Sequence, residues 1–492
     1  MRENSYRTHP GSDTARANTR AIGHFGRPPT DIEVGIMKSK KTVRENSPVE
    51  GGRAVTEHTK TPSTSKPGTG FGHLSASSVQ TNVEARKTRR SFWGQLALIG
   101  PAFVAGAWQF GPGNLATAVQ AGSGYQYTLI WVIIVSTILM IFLTDMSVRL
   151  GIKSPVSLIQ SIKDHLGKKV GVIAGIGVFL VTLCFSVGNA VGLGLGASML
   201  LGGSPVMWTI IGTALVATIL LVRNVYRVIE KVLVVMVGVM AIAFVTTTFI
   251  ANPDWAAAAS GLIPSVPNDA WLLVIALVGT NFSVNAAFYT SYGTKERARS
   301  EEDYRDITMV DTIPGIVAPG IMTSLVIIVA ASVLGATGQV ASTMGQLGSV
   351  FEPLAGPIGT AIFAIGFTGA AFSAMTANCT AGGTMLSDAL NRRGTKGITS
   401  GTQKLISAII LAFGLTITVI FQTQPVQVIV IAQALTILVA PLLATLIVVM
   451  ANRRDLMGSL RNKWWQNLFG VVGLLAVLAL SIRLILNFAA GG

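Results

Sequence analysis

The chain has 492 residues, of which 50% are hydrophobic and only 12% are charged. Soluble domains carry about 25% charged residues, so this composition excludes an ordinary soluble enzyme and points to an integral membrane protein. The formal net charge of +15 would suit nucleic acid, but the places where the charges fall, described below, exclude that partner.

Residues 1–91 are rich in Ser, Thr, Gly, Arg and Lys and poor in large apolar side chains. They read as a disordered, basic, cytoplasmic tail. Acids are mixed with the bases, unlike an organellar transit peptide, and no early apolar stretch marks a secretory signal. Met37 opens the basic run MKSKK and is an alternative start of translation. Intact mass of the native protein decides between Met1 and Met37.

Residues 92–490 read as the transmembrane domain. Eleven apolar spans follow in order: 94–120, 126–149, 169–200, 205–225, 228–250, 270–292, 312–335, 356–388, 403–421, 427–450 and 464–488. Each is near the roughly 20 residues that a bilayer requires. The first span contains AGAWQFGPGNLATAVQ, where Gly111, Pro112, Gly113 and Asn114 interrupt the helix near its middle. A mid-membrane break frees backbone groups that lipid cannot satisfy, so breaks persist where they line a cavity. The sixth span has a corresponding interruption at Gly279–Asn285 (GTNFSVN), with Asn281, Ser283 and Asn285 as its polar groups. Breaks at matching places in two five-helix halves indicate a 5+5 inverted repeat, with the solute held between the broken helices. The eleventh span is then an addition.

The connections carry an alternating charge. The second holds Arg149, Lys153, Lys163, Lys168 and Lys169; the fourth, Arg223, Arg227 and Lys231; the sixth, Lys295, Arg297, Arg299 and Arg305. The eighth holds Arg392, Arg393, Lys396 and Lys404, and the tenth Arg453, Arg454, Arg461 and Lys463. Intervening connections such as AGSGYQY contain no Lys or Arg. The positive-inside rule then puts the N-terminus in the cytoplasm and the C-terminus outside, in a multi-pass plasma-membrane protein, the inner membrane if bacterial. It also accounts for most of the basic charge without nucleic acid. Arg483, inside the last span, either snorkels to the outer surface or pairs within the bundle.

Other residues carry less. Cys184 and Cys379 lie in apolar spans and form no disulfide framework or metal motif. His9, His24, His58, His73 and His165 lie in the tail or the second connection, with no zinc spacing. Asn378 puts an amide in the middle of span eight, either for helix packing or as part of a second ion site. Trp464 and Trp465 read as interfacial anchors, and Asp145 with Arg149, one turn apart, as a structural pair. No enzyme constellation and no cofactor motif is present.

Four stretches carry a resemblance: GPAFVAGAWQFGPGNLATAVQAGSGYQYTLIWV, DMSVRLGIKSP (145–155), AGGTMLSDAL (381–390) and QALTILVAPLLATLIVVMANRRDLMG (433–458). They resemble the NRAMP family of divalent-metal transporters over nearly all of residues 94–470. The resemblance implies a LeuT-type fold of eleven or twelve helices, with helices one and six broken. It also implies secondary transport of a divalent metal (Mg, Mn or Fe class) by alternating access. The family's helix-one motif is Asp-Pro-Gly-Asn; here Gly111 stands at the aspartate, and Pro112, Gly113 and Asn114 remain. Its helix-six motif is Met-Pro-His-Asn; here Ser283, Val284, Asn285 and Ala286 fill those places. The family's helix-three acidic pair falls near Ser186 and Asn189, and a helix-ten glutamine is retained as Gln433.

Every acid after residue 91 lies in a connection or near a span end, and none sits beside a break. The site therefore offers amides, hydroxyls and backbone oxygens, with neither carboxylate nor thioether. The substrate set is Gly111, Pro112, Gly113, Asn114, Asn281, Ser283, Asn285 and Gln433, with Asn114, Ser283 and Gln433 as metal ligands. Oxygen ligands suit a hard cation such as Mg²⁺. The same site suits a small anion or neutral solute, since the half-helix N-termini are partly positive. A non-transporting sensor that signals through the tail is the third reading.

Overall fold

The computed structural model describes residue 98 and residues 100–221, 226–391, 401–421, 423 and 425–489. Every described residue belongs to one compact unit, Glu84–Gly492. The expected tail at 1–91, Met37, four of the five histidines and the basic residues Arg223, Arg392, Arg393 and Lys396 lie outside the described residues.

Among the described residues, fifteen helices are nine residues or longer and carry the fold. They are α1 (Pro101–Gln109), α2 (Pro112–Tyr125), α3 (Ile130–Lys153), α4 (Leu158–Leu166), α5 (Lys168–Leu201), α6 (Pro205–Leu221), α7 (Tyr226–Ile250) and α8 (Trp271–Asn281). There follow α9 (Val284–Glu296), α10 (Ile313–Val333), α11 (Pro357–Leu390), α12 (Gly401–Ile420), α13 (Pro425–Leu435), α14 (Ala440–Asn452) and α15 (Trp464–Ala489). Proline opens α1, α2, α6, α11 and α13, where its missing N–H is one the helix leaves unbonded anyway. Among the described residues, seven helices are long and apolar enough to cross a bilayer in one piece, the α8–α9 run included. The bent pair α13–α14 makes an eighth. The broken pair α1–α2 and the shorter α6 and α7 complete the eleven expected spans.

The packing is reciprocal between the two halves. α3 packs on α9 just as α10 packs on α2, and α1 on α9 just as α8 on α2. α5 touches α13 as α11 touches α7, and α5–α6 matches α11–α12. The third helices of each half, α5 and α11, pack on each other along their lengths, and so do the fourth, α6 and α12. Shifting every span by five leaves this contact pattern unchanged, which is what an inverted repeat requires.

The described basic connections meet at one end of the bundle. Lys153 and Ser459 both bond Glu301, Arg453 Nη1 donates to His165 O at 3.3 Å, and Lys163 Nζ donates to Asn391 O at 3.1 Å. Hydrogen bonds from Lys153 and Ser459 hold the Glu301 carboxyl below the usual range, and the Arg453 bond does the same for Asp455. A depressed carboxyl pKa keeps these ties at neutral pH and releases them as pH falls through the depressed value. Asp145 and Arg149 form the expected buried pair at 2.9 Å. Tyr304 Oη also donates to Asp145, at 2.7 Å, so the pair is fixed from two elements.

The helical run that holds span seven begins earlier than the sequence indicates, at Tyr304, with a wide turn over Thr308–Thr312. That turn buries Asp311 completely. Its carboxylate accepts from Gly100 N at 2.8 Å, Phe103 N at 2.9 Å and Ala102 N at 3.2 Å. It thus serves as the N-cap that α1 lacks locally, and the partial positive charge of those N–H groups offsets its own burial.

Candidate functional site

Three interrupted helices converge on one cavity. α1 stops at Gln109 and α2 restarts at Pro112, leaving Phe110 and Gly111 as the break. Gly111 is extended, with φ −92° and ψ −178°, a conformation open to any residue. α8 stops at Asn281 and α9 restarts at Val284, leaving Phe282 and Ser283. The third interruption was not foreseen in the sequence: α13 passes through a tight turn at Thr436–Leu438 and bends by 42° into α14. Thr436 Oγ1 there lies 2.6 Å from Gln433 O and 3.1 Å from Gly279 O, so the third interruption sits directly against α8.

The cavity between them has a volume of about 30 Å³. A water needs about 10–15 Å³ by this measure, so the space takes a small ion with one or two waters. Six of the expected residues line it: Gly111, Gly113, Asn114, Ser283, Asn285 and Gln433. Pro112 and Asn281 are not in the lining. The Pro112 ring packs toward α5, where a Cβ on Gly192 would collide with it. Asn281 turns its Nδ2 toward α3, donating to Ser136 Oγ at 2.8 Å and Thr137 Oγ1 at 2.9 Å. It thereby fixes the end of α8, and its polarity is spent on helix packing.

The lining also includes residues outside the expected set. Gln109, Thr280, Asn189 and Asn378 face the cavity. Asn378 commits Nδ2 to Thr182 O at 2.8 Å, so it packs helices as well as lining the site. Asn189, one of the two positions matching the family's acidic pair, lines the cavity, while Ser186 turns away and donates to Ile410 O at 2.8 Å. Gln109 gave no sequence signal beyond lying two residues ahead of the break.

No side chain in this lining titrates, and among the described residues no group of three or more His, Cys, Asp or Glu could hold a metal. The polar atoms that lack partners are informative instead. Gln109 Nε2, Asn114 Nδ2 and Gln433 Oε1 are buried and unbonded. Thr323 Oγ1 lies 2.7 Å from Pro319 O and 2.8 Å from Asn114 Oδ1. A hydroxyl has one proton and cannot donate to both acceptors. Turning the Asn114 amide by 180° resolves the conflict at no steric cost. Nδ2 then donates to Thr323, Thr323 donates to Pro319 O, and Asn114 Oδ1 takes the unbonded position in a residue that lines the cavity. Gln433 is clamped, because a Cβ on Gly113 would overlap its amide and one on Gly188 would come within 2.7 Å of Nε2. Its unbonded Oε1 is a second oxygen available to the site. Ser283 Oγ, donating to Asn285 Oδ1 at 2.6 Å, keeps its lone pairs as a third.

Comparisons with known proteins follow this geometry. A sequence profile described as natural resistance-associated macrophage protein-like matches residues 102–487. The divalent metal cation transporter MntH of Bacillus subtilis (strain 168) is 28% identical over 407 residues, covering 81% of this chain and 94% of that protein. A protein of the same name from Klebsiella pneumoniae (strain 342) is 25% identical over 84% of this chain and 99% of its own. Among solved structures, a mutant of the Eremococcus coleocola manganese transporter superposes with a TM-score of 0.66 at 18% identity, over 80% of this chain and 87% of that one. MhsT in complex with L-phenylalanine superposes at 0.52 with 17% identity, over 77% of this chain and 98% of that one.

Proposed function

Because the chain belongs to the natural resistance-associated macrophage protein family, whose members are membrane transporters and not enzymes, we propose that it moves a divalent metal cation by alternating access. The ion rests in the cavity on oxygens of Asn114, Ser283 and Gln433, with Gly111, Gly113 and Asn285 completing the wall. The observation that carries this reading is the meeting of two helix interruptions, at Gly111 and Ser283, on a cavity into which α13 sends Gln433 with its unbonded amide oxygen.

The donor set decides which cation fits. Oxygen without sulfur favours hard ions, Mg²⁺ or Mn²⁺, over soft ones. The small cavity strips most of the hydration shell, and no carboxylate compensates the charge. Uncompensated burial costs several kcal/mol per ion, so affinity is weak compared with a site that keeps the aspartate. The tail at 1–91 lies in the cytoplasm in this reading and is dispensable for transport. The protein sits in the plasma membrane with its C-terminus outside, spans the lipid bilayer as its only constant partner and needs no cofactor.

A second reading rests on a specific feature. The N-termini of α2 and α9 open at the breaks without side-chain caps, and their partial positive charge suits an anion. Calorimetric titration of the purified protein separates the two. Saturable heat with Mg²⁺ or Mn²⁺, lost in Gln433→Ala, supports the cation. Heat with a small anion such as phosphate and none with either metal overturns it.

A further inference from the structure

A second cavity, unrelated to the polar one, lies on the back of the sixth-span break. Its volume is about 250 Å³, and its walls come from α3, α8 and α15 together with Val266 of the preceding connection. The lining is almost wholly apolar, with Trp131 and Trp271 at one end and Phe282 at the other. An apolar cavity of about 150 Å³ stays dry and takes an aromatic guest; this one is larger, and Val135 and Ala479 in its wall are exposed.

The end nearest the two tryptophans carries a charge with nothing to oppose it. Arg483 lies 5.2 Å above the Trp271 ring, one turn beyond the lining residue Leu480 on α15. Among the described residues it has no hydrogen bond and no ion pair. Trp131 Nε1 donates to Ser265 O at 3.0 Å, which fixes that ring beside the opening. A guanidinium over one indole, at the tryptophan end of an apolar slot, has the layout of a lipid interface: aromatic rings for headgroup depth, a cation for phosphate and a trough for the chain.

We propose that this cavity binds one phospholipid, with an acyl chain between α3, α8 and α15 and its phosphate on Arg483. The chain ends against Phe282, one of the two residues that form the break in span six. Occupancy therefore bears on the hinge from the side opposite the polar cavity. No part of this depends on what the polar cavity carries.

Native mass spectrometry of the full chain, purified and then supplied with either phosphatidylglycerol or diacylglycerol, tests it. The expected result is one phosphatidylglycerol retained per protein and at least fivefold less diacylglycerol. Arg483→Gln lowers phosphatidylglycerol retention at least fivefold, and Ala476→Phe, which fills the slot, removes it. A circular-dichroism melt confirms that both variants remain folded. If Ala476→Phe fails to fold, Ala479→Leu narrows the same slot and lowers retention in the same direction. Equal retention of the two lipids, or unchanged retention in folded Arg483→Gln or in the folded slot variant, overturns the proposal.

Discussion

At Gly111 the question is whether one residue separates this site from a tight metal site. A Cβ there would lie 3.2 Å from Trp108 O, 3.4 Å from Ala374 Cβ and 3.7 Å from Asn189 Oδ1. The fit is close but needs only a small adjustment, and the backbone is already ordinary. Gly111→Asp should therefore fold and tighten Mn²⁺ binding at least tenfold, about 1.4 kcal/mol, read by calorimetry; weaker binding would contradict the assignment of this position. Gly113 behaves oppositely. Gly113→Ala drives a methyl into the Gln433 amide, costing about 1–3 kcal/mol by overpacking, and should abolish metal heat. Asn281 tests the boundary of the site. Its hydrogen bonds reach Ile133 O at 3.3 Å, Ser136 and Thr137. Asn281→Ala should lower stability by about 1–3 kcal/mol, seen as a lower melting temperature, while affinity in the folded protein stays within about twofold. A larger loss of affinity would return Asn281 to the ligand set that its sequence position suggested. The sequence shows that Asn281 is polar and mid-membrane, but not which way it points, because both faces of a broken helix are polar at the break.

Among the elements, the two breaks were legible because each has a chemical cause. Pro112 cannot donate an N–H, Gly111 adds no side chain, and Ser283 and Asn285 compete for backbone partners. The bend between α13 and α14 was not, since no Gly or Pro interrupts QALTILVA. Its only marker is Pro441, whose ring denies the preceding turn a hydrogen bond. The ends of α9 and α11 on the side of the basic connections are tied by a second feature invisible in sequence. Tyr292 on α9 donates to Asp388 on α11 at 2.5 Å, and Ser157 and Gln160 of the α4 region bond the same carboxylate. Four residues spread over more than 200 positions meet there, and no spacing rule links them. A double-mutant cycle on Tyr292→Phe and Asp388→Asn should return a coupling of about 1–2 kcal/mol in the melting free energy; additive effects would show that the tie is incidental.

Across the whole molecule, the eleven spans and the gathering of the described basic connections at one end follow from hydropathy and charge placement, and the grouping into five and five from the two matched breaks. Those signals are strong because lipid punishes every unsatisfied backbone group and buried charge. The cavity's contents were less legible, because Gln109, Asn189 and Asn378 come from three different spans and only packing aligns them. The lining holds no titratable group. An imposed proton gradient should therefore not accelerate uptake, and the rate should stay flat between about pH 5 and 8, where a histidine-bearing site would respond; a steep profile would place a proton-carrying group in the path. The most direct test is influx of Mg²⁺ and Mn²⁺ into proteoliposomes of the purified full chain, followed with a metal-sensitive dye inside. Saturable influx of either ion, abolished in Gly113→Ala, is the expected result. No influx of either ion from folded, correctly inserted protein would contradict a divalent-cation site built without a carboxylate.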